Sequence, residues 1–264
     1  MKITVLNENT SKSDKYESEH GLSLYIETKK HNILFDCGQS DIFERNAARL
    51  GVDLKNADIV IISHGHYDHT GGLQRLLEIN KTAKVYLSEF SFGEHYSGSE
   101  RYIGMDKTLK SHPRLIYTDD FCKIDDELLL RTLNEKITAE SINSFGLNIK
   151  KNGELLPDDF RHEQYLTINE NGRRIVISGC SHKGINNIVS LLSPDVLVGG
   201  FHFSKVNLTN DDSKAFLNNA ACRLNNTNCI FYTCHCTGIE QYEFLKSILK
   251  EKLSYISSGD VILI

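Results

Sequence analysis

The sequence predicts a layered α/β fold, and two patterns support this prediction. Short apolar runs rich in isoleucine and valine alternate with stretches of helical periodicity along most of the 264 residues. Several runs end in glycine, cysteine or histidine, and these runs are ILFDCG, VIISHGH, IVISGCSH, VLVGGFH and IFYTCHCTG. Because sites in layered α/β folds form beyond strand ends, where side chains converge, the five endings indicate one shared site.

The apolar runs define the predicted strands, since each is short and rich in β-branched residues. The predicted strands are Lys2–Leu6, Leu22–Glu27, Asn32–Phe35, Ile59–Ile62, Lys84–Leu87, Tyr165–Ile168, Arg174–Ser178, Val196–Val198, Cys229–Thr233 and Val261–Ile264. Apolar residues at helical spacing predict helices between them. The predicted helices are Asp41–Leu50, Gly72–Ile79, Ile185–Leu192, Asp211–Asn225 and Ile239–Leu249.

One hairpin has a predicted register. The Asn-Gly pair at 171–172 lies between two alternating runs and fits a two-residue type I′ turn. This turn sets Leu166 opposite Ile177 and Ile168 opposite Ile175, so apolar residues meet on one face.

The chain shows no repeat, low-complexity linker or clean domain boundary. We therefore expect residues 1–264 to form a single domain. The stretch from about 90 to 159 differs from the rest, with scattered glycine, serine and charge and weak periodicity. We expect this stretch to be an insertion that covers the site.

Composition restricts the classes of partner. The net charge of -5 and the pI near 6.1 give no basic footprint, so no nucleic-acid partner is expected. No apolar run has the length of a membrane span, and the first residues lack a secretory h-region. We expect a cytoplasmic protein with a small-molecule substrate, and the oligomeric state stays open. The seven cysteines are an odd number without a CxxC pair, which favours free thiols.

The segment VIISHGHYDHTGGL at 60–73 concentrates groups that bind metals. His64 and His66 alternate on an extended loop and can point at one metal. Asp68 and His69 follow where the chain turns through Thr-Gly-Gly into a helix, and they can serve a second metal. Imidazole and carboxylate are zinc-type ligands. The segment therefore predicts half of a binuclear site, with the two metals about 3.5–4 Å apart.

The remaining ligands must come from other strand ends, and His182 and His235 are the main candidates. Cys180 and His182 are two apart on an extended segment and should face the same side. His162 lies opposite Ser181 in the hairpin register, so a regular ladder aims its side chain at the other face, unless a bulge turns it back.

The roles of other residues around the site follow less directly from the sequence. Cys180 either faces the metals or packs as a small hydrophobe. His202 faces the substrate or packs at the sheet edge, and Asp36 is expected to orient the metal loop.

Loop residues outside the strand ends are expected to be exposed. His20, His95 and His112 are therefore treated as exposed loop histidines, although each could line the pocket. The basic residues at 101, 107 and 110 could bind a phosphate, but we prefer the interpretation that they belong to a solvated charged loop.

The motifs resemble those of a known family. The stretch from His64 to His69 matches the HxHxDH signature of the metallo-β-lactamase fold, whose members are mostly binuclear hydrolases. Further segments resemble the branch related to the dihydropterin ribofuranosylaminobenzene phosphate synthases of methanopterin synthesis, outside about 90–159. These segments are EHGLS at 19–23, LFDCGQS at 34–40, GCSHKGI at 179–185, GGFHF at 199–203 and HCTG at 235–238.

The resemblance implies a four-layered αββα sandwich with the metals at one edge between the sheets. His235 matches the late histidine of the family. Cys180 stands where many members carry an aspartate that bridges the two metals. The chain therefore departs from the family pattern at this position. The third histidine of the first metal is either His162 or His182.

The function expected from these residues is metal-dependent hydrolysis. Two divalent transition metals, zinc first with iron or manganese as alternatives, would provide a metal-bound hydroxide and stabilise an oxyanion. Asp68 would hold the second metal and accept a proton afterwards. By resemblance, the substrate is a small phosphorylated or cyclic phosphodiester compound, with pterin-related compounds among the candidates.

Two alternatives stay open. One is a transferase like the synthase, which joins a pterin precursor to an aminobenzoate using phosphoribosyl diphosphate. The other is a metal-binding sensor or recruiting module with residual activity.

Overall fold

The computed structural model describes residues 1–138 and 142–264 of the chain. The strands are β1 (Lys2–Asn7), β2 (Ser23–Glu27), β3 (Asn32–Phe35), β4 (Ile59–Ile61), β5 (Lys84–Ser88), β6 (Glu94–Ser97), β7 (Arg101–Tyr102), β8 (Leu115–Thr118), β9 (Phe121–Lys123), β10 (Leu128–Arg131), β11 (Leu147–Lys151), β12 (Glu154–Pro157), β13 (Tyr165–Glu170), β14 (Arg173–Ser178), β15 (Val196–Gly199), β16 (Ile230–Thr233), β17 (Leu253–Tyr255) and β18 (Val261–Leu263). The α-helices are α1 (Ile42–Arg49), α2 (Tyr67–Thr70), α3 (Leu73–Ile79), α4 (Ile185–Leu192), α5 (Asp211–Asn225) and α6 (Ile239–Leu249).

Two large sheets form the centre of the fold. The first has the order β18-β1-β2-β3-β4-β5-β8, and the second has the order β17-β16-β15-β14-β13-β10-β9. Strands β3, β4, β5 and β8 run parallel, as do β14, β15, β16 and β17. Their carboxyl ends therefore collect at one edge of each sheet, where the predicted site residues follow.

Alternating side chains hold the four layers together. In β4, Ile59 and Ile61 enter the core between the two sheets, while Val60 packs with α1 and α3. In β14, Ile177 enters the same central core and Val176 packs with α4, α5 and α6. Each sheet is thus apolar on both faces, because one face meets the other sheet and the second face meets helices. This arrangement confirms the predicted αββα sandwich.

The predicted hairpin register is confirmed. Leu166 pairs with Ile177 and Ile168 pairs with Ile175, and the turn residue Asn171 has φ of 53°. The seven cysteines are all free, as expected. Among the described residues, no helix has both the length and the apolarity needed to cross a membrane.

The stretch 90–159 contains more of the central fold than the sequence indicated. Its strands β8, β9 and β10 belong to the two large sheets, while β6, β7, β11 and β12 form a separate four-stranded sheet. Most of these strands lie at or near sheet edges, and β12 is exposed along its whole length. Half-exposed edge strands carry a weak apolar pattern, which is why the sequence did not predict them.

We expect Ile177→Ala to destabilise the protein by about 2–5 kcal/mol, because its side chain is fully buried between the sheets. Ile230→Ala on β16 is the matched control, since Ile230 is 38% exposed, and we expect a smaller loss. Urea denaturation gives both values. Equal losses for the two variants would contradict the assignment of Ile177 to the central core.

Candidate metal centre

The carboxyl ends of three strands bring the predicted ligands together. The segment after β4 supplies the histidine-aspartate motif, the loop after β14 supplies Cys180 and His182, and the short 3-10 turn after β16 supplies His235. All six predicted ligands are buried, at 7% exposure or less. They are His64, His66, Asp68, His69, His182 and His235.

The ligands separate into two neighbouring groups. In the first group, single ring nitrogens of His64, His66 and His182 lie within 4.8 Å of one another. The Nε2 atoms of His64 and His182 are 3.3 Å apart. The rings of His64 and His69 have centroids 4.1 Å apart, so the second group begins beside the first.

The second group contains Asp68, His69 and His235. Nε2 of His235 is 3.2 Å from Nε2 of His69 and 3.4 Å from Oδ2 of Asp68. Cys180 also reaches this group, since its Sγ is 3.2 Å from Nε2 of His69. The thiol therefore lies beside the predicted second metal position.

Asp36 supports one histidine of each group from behind. Its Oδ1 accepts from the backbone N–H of Ser63 (2.7 Å), and its Oδ2 accepts from the Ser63 hydroxyl (2.7 Å) and lies 2.7 Å from Nδ1 of His69. The Ser63 hydroxyl, having donated, accepts from Nδ1 of His64 at 2.8 Å. Nδ1 thus carries the proton in both rings, and the Nε2 lone pairs face the centre.

Asn9 orients His235 in the same way, and sequence reasoning missed it. Its Oδ1 is 2.7 Å from Nδ1 of His235. Glu8 accepts from the backbone N–H of His235 at 2.6 Å. Their position in the sequence could have predicted this role, because Glu8 and Asn9 follow β1 at the same edge of the sandwich.

The geometry of the Nε2 atoms fits a bound cation. Ring nitrogens face each other at 3.2 Å in the pair His69–His235 and at 3.3 Å in the pair His64–His182. Such close approaches require a shared proton or a bound cation, and imidazole nitrogens with a carboxylate are the donor set of zinc and related metals. The residues present therefore fit a transition-metal site.

Electrostatics favours the metal-binding protonation state in most of the ligands. His69 is the exception, because burial lowers its pKa but Asp36 and Asp68 raise it overall. Burial lowers the pKa of His64 and His66 well below the ordinary value, and it lowers the pKa of His235 to about 4. Burial alone would raise the pKa of Asp68, but His69 and the other histidines around the carboxylate lower it well below its usual range. At neutral pH these three imidazoles are neutral and the carboxylate is ionised.

A buried glutamate holds the loop that carries His182. Glu163 accepts from the backbone N–H groups of His182 (2.8 Å) and Lys183 (3.1 Å), and the Tyr165 hydroxyl donates to it. The Lys183 ammonium donates to the carbonyl oxygens of Thr132 (2.6 Å) and Glu163 (3.2 Å). The sequence analysis missed both charged residues, because a charged side chain next to a predicted strand is expected to be exposed.

The predicted orientation of His162 is wrong. Its ring lies 5.1 Å from the ring of His66, on the side of the predicted ligands. The chain leaves the ladder before β13, with Phe160 at φ of 49° and a turn from its carbonyl to Glu163 N–H. Nδ1 of His162 accepts from Gly65 N–H at 2.9 Å, so the neutral ring carries its proton on Nε2 and offers no free lone pair.

His95 is buried, contrary to the expectation of an exposed loop histidine. Its Nδ1 is 2.7 Å from Oδ2 of Asp158, and its ring lies 3.9 Å from that of His162. Together with His66 these residues form a compact buried group whose ligand atoms lie within 4.8 Å of one another. No local pattern predicts this group, since His95 and Asp158 lie on or next to the small sheet that the sequence analysis did not predict.

The other candidate histidines differ in their distance from the centre. His20 is half-exposed, and its Nε2 is 3.1 Å from Oδ2 of Asp68. His202 packs its ring 4.2 Å from the ring of His182. His112 accepts from the backbone N–H of Arg114 at 3.4 Å, within its own loop.

The basic residues of the stretch 101–110 mostly have local partners. Arg101 donates to the hydroxyl of Tyr67 at 2.7 Å, and Lys107 donates to Glu94 at 2.7 Å. Lys110 lines a separate cavity that also includes His95 and His162.

Comparisons with known proteins agree with this fold. The metallo-beta-lactamase superfamily matches residues 18–200, and the chain belongs to this superfamily. An uncharacterised protein of Methanocaldococcus jannaschii, MJ0448, is 30% identical over 90% of this chain and 91% of its own length. The 7,8-dihydropterin-6-methyl-4-(β-D-ribofuranosyl)-aminobenzene-5′-phosphate synthase of the same organism is 27% identical over 99% of this chain and 96% of its own.

A solved structure is also similar over the whole chain. Tm1679, described as a metal-dependent hydrolase of the β-lactamase superfamily, has a TM-score of 0.81 and 30% identity, covering 100% of this chain and 99% of that one. Zinc-bound PqqB from Methylobacterium extorquens has a TM-score of 0.61 at 11% identity, with full coverage of both chains. The second likeness concerns the fold alone.

We expect His182→Ala to weaken zinc binding 10-fold or more and His162→Ala to change it little. Nε2 of His182 faces His64, whereas Nδ1 of His162 is engaged by Gly65 N–H and its Nε2 is protonated. Competition with a chromogenic chelator measures both affinities. The reverse order would show that His162 completes the first group.

We expect Cys180→Ser to remove thiolate character from the second group. A thiolate bound to Co²⁺ gives a charge-transfer band in the near ultraviolet, which serine cannot give. Absorption spectra of the Co²⁺-substituted parent and variant test this, with Cys229→Ser, a buried thiol away from the site, as the control. Identical spectra for all three proteins would assign Cys180 a packing role.

Proposed function

We propose that the chain is a binuclear metal-dependent hydrolase that acts on a small phosphorylated or cyclic phosphodiester substrate. The observation that carries this proposal is the pairing of opposed Nε2 atoms, one pair in each ligand group, at 3.2 and 3.3 Å. One cation satisfies one pair, so two pairs call for two cations. Cys180 between the groups supplies a further donor.

Two divalent metals bound there would supply Lewis acidity and a nucleophilic hydroxide at neutral pH. The residues of the chain have separate tasks around that chemistry. Asp68 holds its charge at the second position, and it would take the proton of the attacking hydroxide and pass it to the leaving group as the bond breaks. Asp36, Ser63 and Asn9 fix the imidazole rings, so little reorganisation is needed during the reaction.

A transferase like the synthase is the second candidate. It is supported by the 27% identity that extends over 99% of the chain. The two candidates differ in the second substrate, which is water for the hydrolase and an aminobenzoate derivative for the transferase. A sensor or recruiting module would bind the metals without turnover.

We expect about two transition-metal ions per chain in protein purified without chelator. Elemental analysis measures this number, and one metal or fewer at saturation would contradict the binuclear proposal. His64→Ala should lower the stoichiometry, since its Nε2 faces the first position. His112→Ala is the matched control, because this histidine bonds within its own loop.

We expect Asp68→Asn to reduce turnover about 100-fold or more while the protein stays folded. The substitution keeps the size of the side chain and removes the charge that faces His235 and His69. Turnover is measured on a panel of phosphodiesters, cyclic nucleotides, lactones and thioesters, with circular dichroism as the folding check. Metal binding without turnover on any panel member would favour the sensor, and product formed only with an aminobenzoate present would favour the transferase.

A further inference from the structure

A cavity of about 660 Å³ opens beside the first ligand group. His182, His202 and the first turn of α4 line this cavity. Helix α5 and residues 142, 143 and 145 also contribute to its lining. Its size suits a small organic molecule, and His182 lines both this cavity and the candidate metal centre.

His182 lacks the partner that the other oriented ligands have. Nδ1 is bonded to Ser63 in His64, to Asp36 in His69 and to Asn9 in His235, whereas Nδ1 of the 96%-buried His182 has no hydrogen-bond partner among the described residues. With Nε2 assigned to a metal, as proposed above, Nδ1 is the ring nitrogen that carries the proton. This buried N–H requires an acceptor.

His202 adds a second unsatisfied group to the lining of the cavity. Both of its ring nitrogens are buried and without a partner in the described part of the chain. Its ring lies against His182 at 4.2 Å and Phe145 at 5.5 Å, and its backbone has φ of 56°. A neutral imidazole in this position offers one N–H to a ligand.

The first turn of α4 offers backbone donors to the same space. The helix starts after Gly184 at φ of 87°, and no described side chain caps it. The amides of Ile185 and Asn186 precede the first intrahelical hydrogen bonds, and they carry the positive end of the helix dipole. Such a helix start binds anions, phosphate in particular.

The rest of the cavity is suited to an apolar body. Phe145, Phe203 and Phe216 contribute aromatic surface, and Phe216 is 48% exposed although its side chain is large and apolar. Arg223 lies on α5, towards the carboxyl end of that helix. The lining thus combines N–H donors with aromatic surface, and Asp212 and Arg223 add one charge of each sign.

We propose that this cavity binds the anchoring phosphate of an aromatic organic phosphate, with the phosphate held by the α4 amides, His182 Nδ1–H and His202, and the ring against the phenylalanines. This phosphate is separate from the bond that is broken at the metals. The proposal rests on the proposed function in one respect, which is the assignment of Nε2 of His182 to a metal. The proposal adds to the proposed function the class of substrate, an aromatic organic phosphate.

The test measures binding of benzylphosphonate, a probe that cannot be hydrolysed at a P–O–C bond, to the zinc-loaded full chain by isothermal titration calorimetry. Asn186→Asp places a carboxylate at the start of α4, where it favours the helix but repels an anion. We expect a dissociation constant at least about tenfold higher. Asn171→Asp is the matched control, since it makes the same change of charge in the remote hairpin turn, where Asp-Gly is also a favoured pair.

Comparison probes measure the contribution of the aromatic lining to affinity separately from that of the N–H donors. Methylphosphonate should bind at least about tenfold more weakly than benzylphosphonate, because it lacks the ring. Binding should persist after removal of zinc by a chelator, with circular dichroism confirming that the chain is folded. Binding that disappears with the metal, or that is equal in the two Asp variants, would overturn the proposal.

The outcome is independent of the proposed hydrolase activity. Loss of benzylphosphonate affinity in Asn186→Asp supports the anion site even if the panel of substrates shows no turnover. Turnover that depends on Asp68, together with unchanged affinity in Asn186→Asp, would support the hydrolase and overturn the anion site.

Discussion

The structure depends on the convergence of neutral imidazole lone pairs at one buried edge. On folding, the Nε2 atoms lose water and contact one another instead, with His69 and His235 3.2 Å apart and His64 and His182 3.3 Å apart, which is a poor exchange for polar groups in a core. Asp36 and Asn9 fix the direction of the rings by engaging Nδ1 of His69 and His235. A bound cation would make this arrangement more favourable, and the surrounding sandwich supplies the stability that holds it in place.

Both halves of the sandwich contribute to this edge. The first sheet delivers Asp36 after β3 and the histidine motif after β4, and the second delivers the loops after β14 and β16. Close contact between the halves requires small residues, as at Gly179, where a Cβ would lie 2.2 Å from the Ser63 hydroxyl oxygen. The buried Glu163 and Lys183 then fix the loop after β14 through backbone groups. The site therefore forms only in the complete two-sheet fold.

The sequence was sufficient where a residue's role follows from its local pattern. Apolar alternation placed the central strands and helices within one or two residues, and the Asn-Gly turn gave the register of β13 and β14. It was insufficient where a role depends on tertiary contact. The orientation of His162 was predicted wrongly because the chain turns before β13, and no local pattern predicts this turn. His95 is buried through its contact with Asp158, which lies 63 residues away. Asn9 and Glu163 act through partners on distant strands.

The position of Asp36 links the two ligand groups in energy as well as in space. One carboxylate oxygen serves the Ser63 hydroxyl that supports His64 and also Nδ1 of His69. Charge withdrawn from this oxygen by one imidazole is less available to the other, so the basicity of each ring depends on the state of its neighbour. With a metal in each group, as proposed above, occupancy of one position would change the affinity of the other, and by thermodynamic reciprocity the effect would be equal in both directions. The two separate affinities would then have meaning only when the occupancy of the partner position is stated.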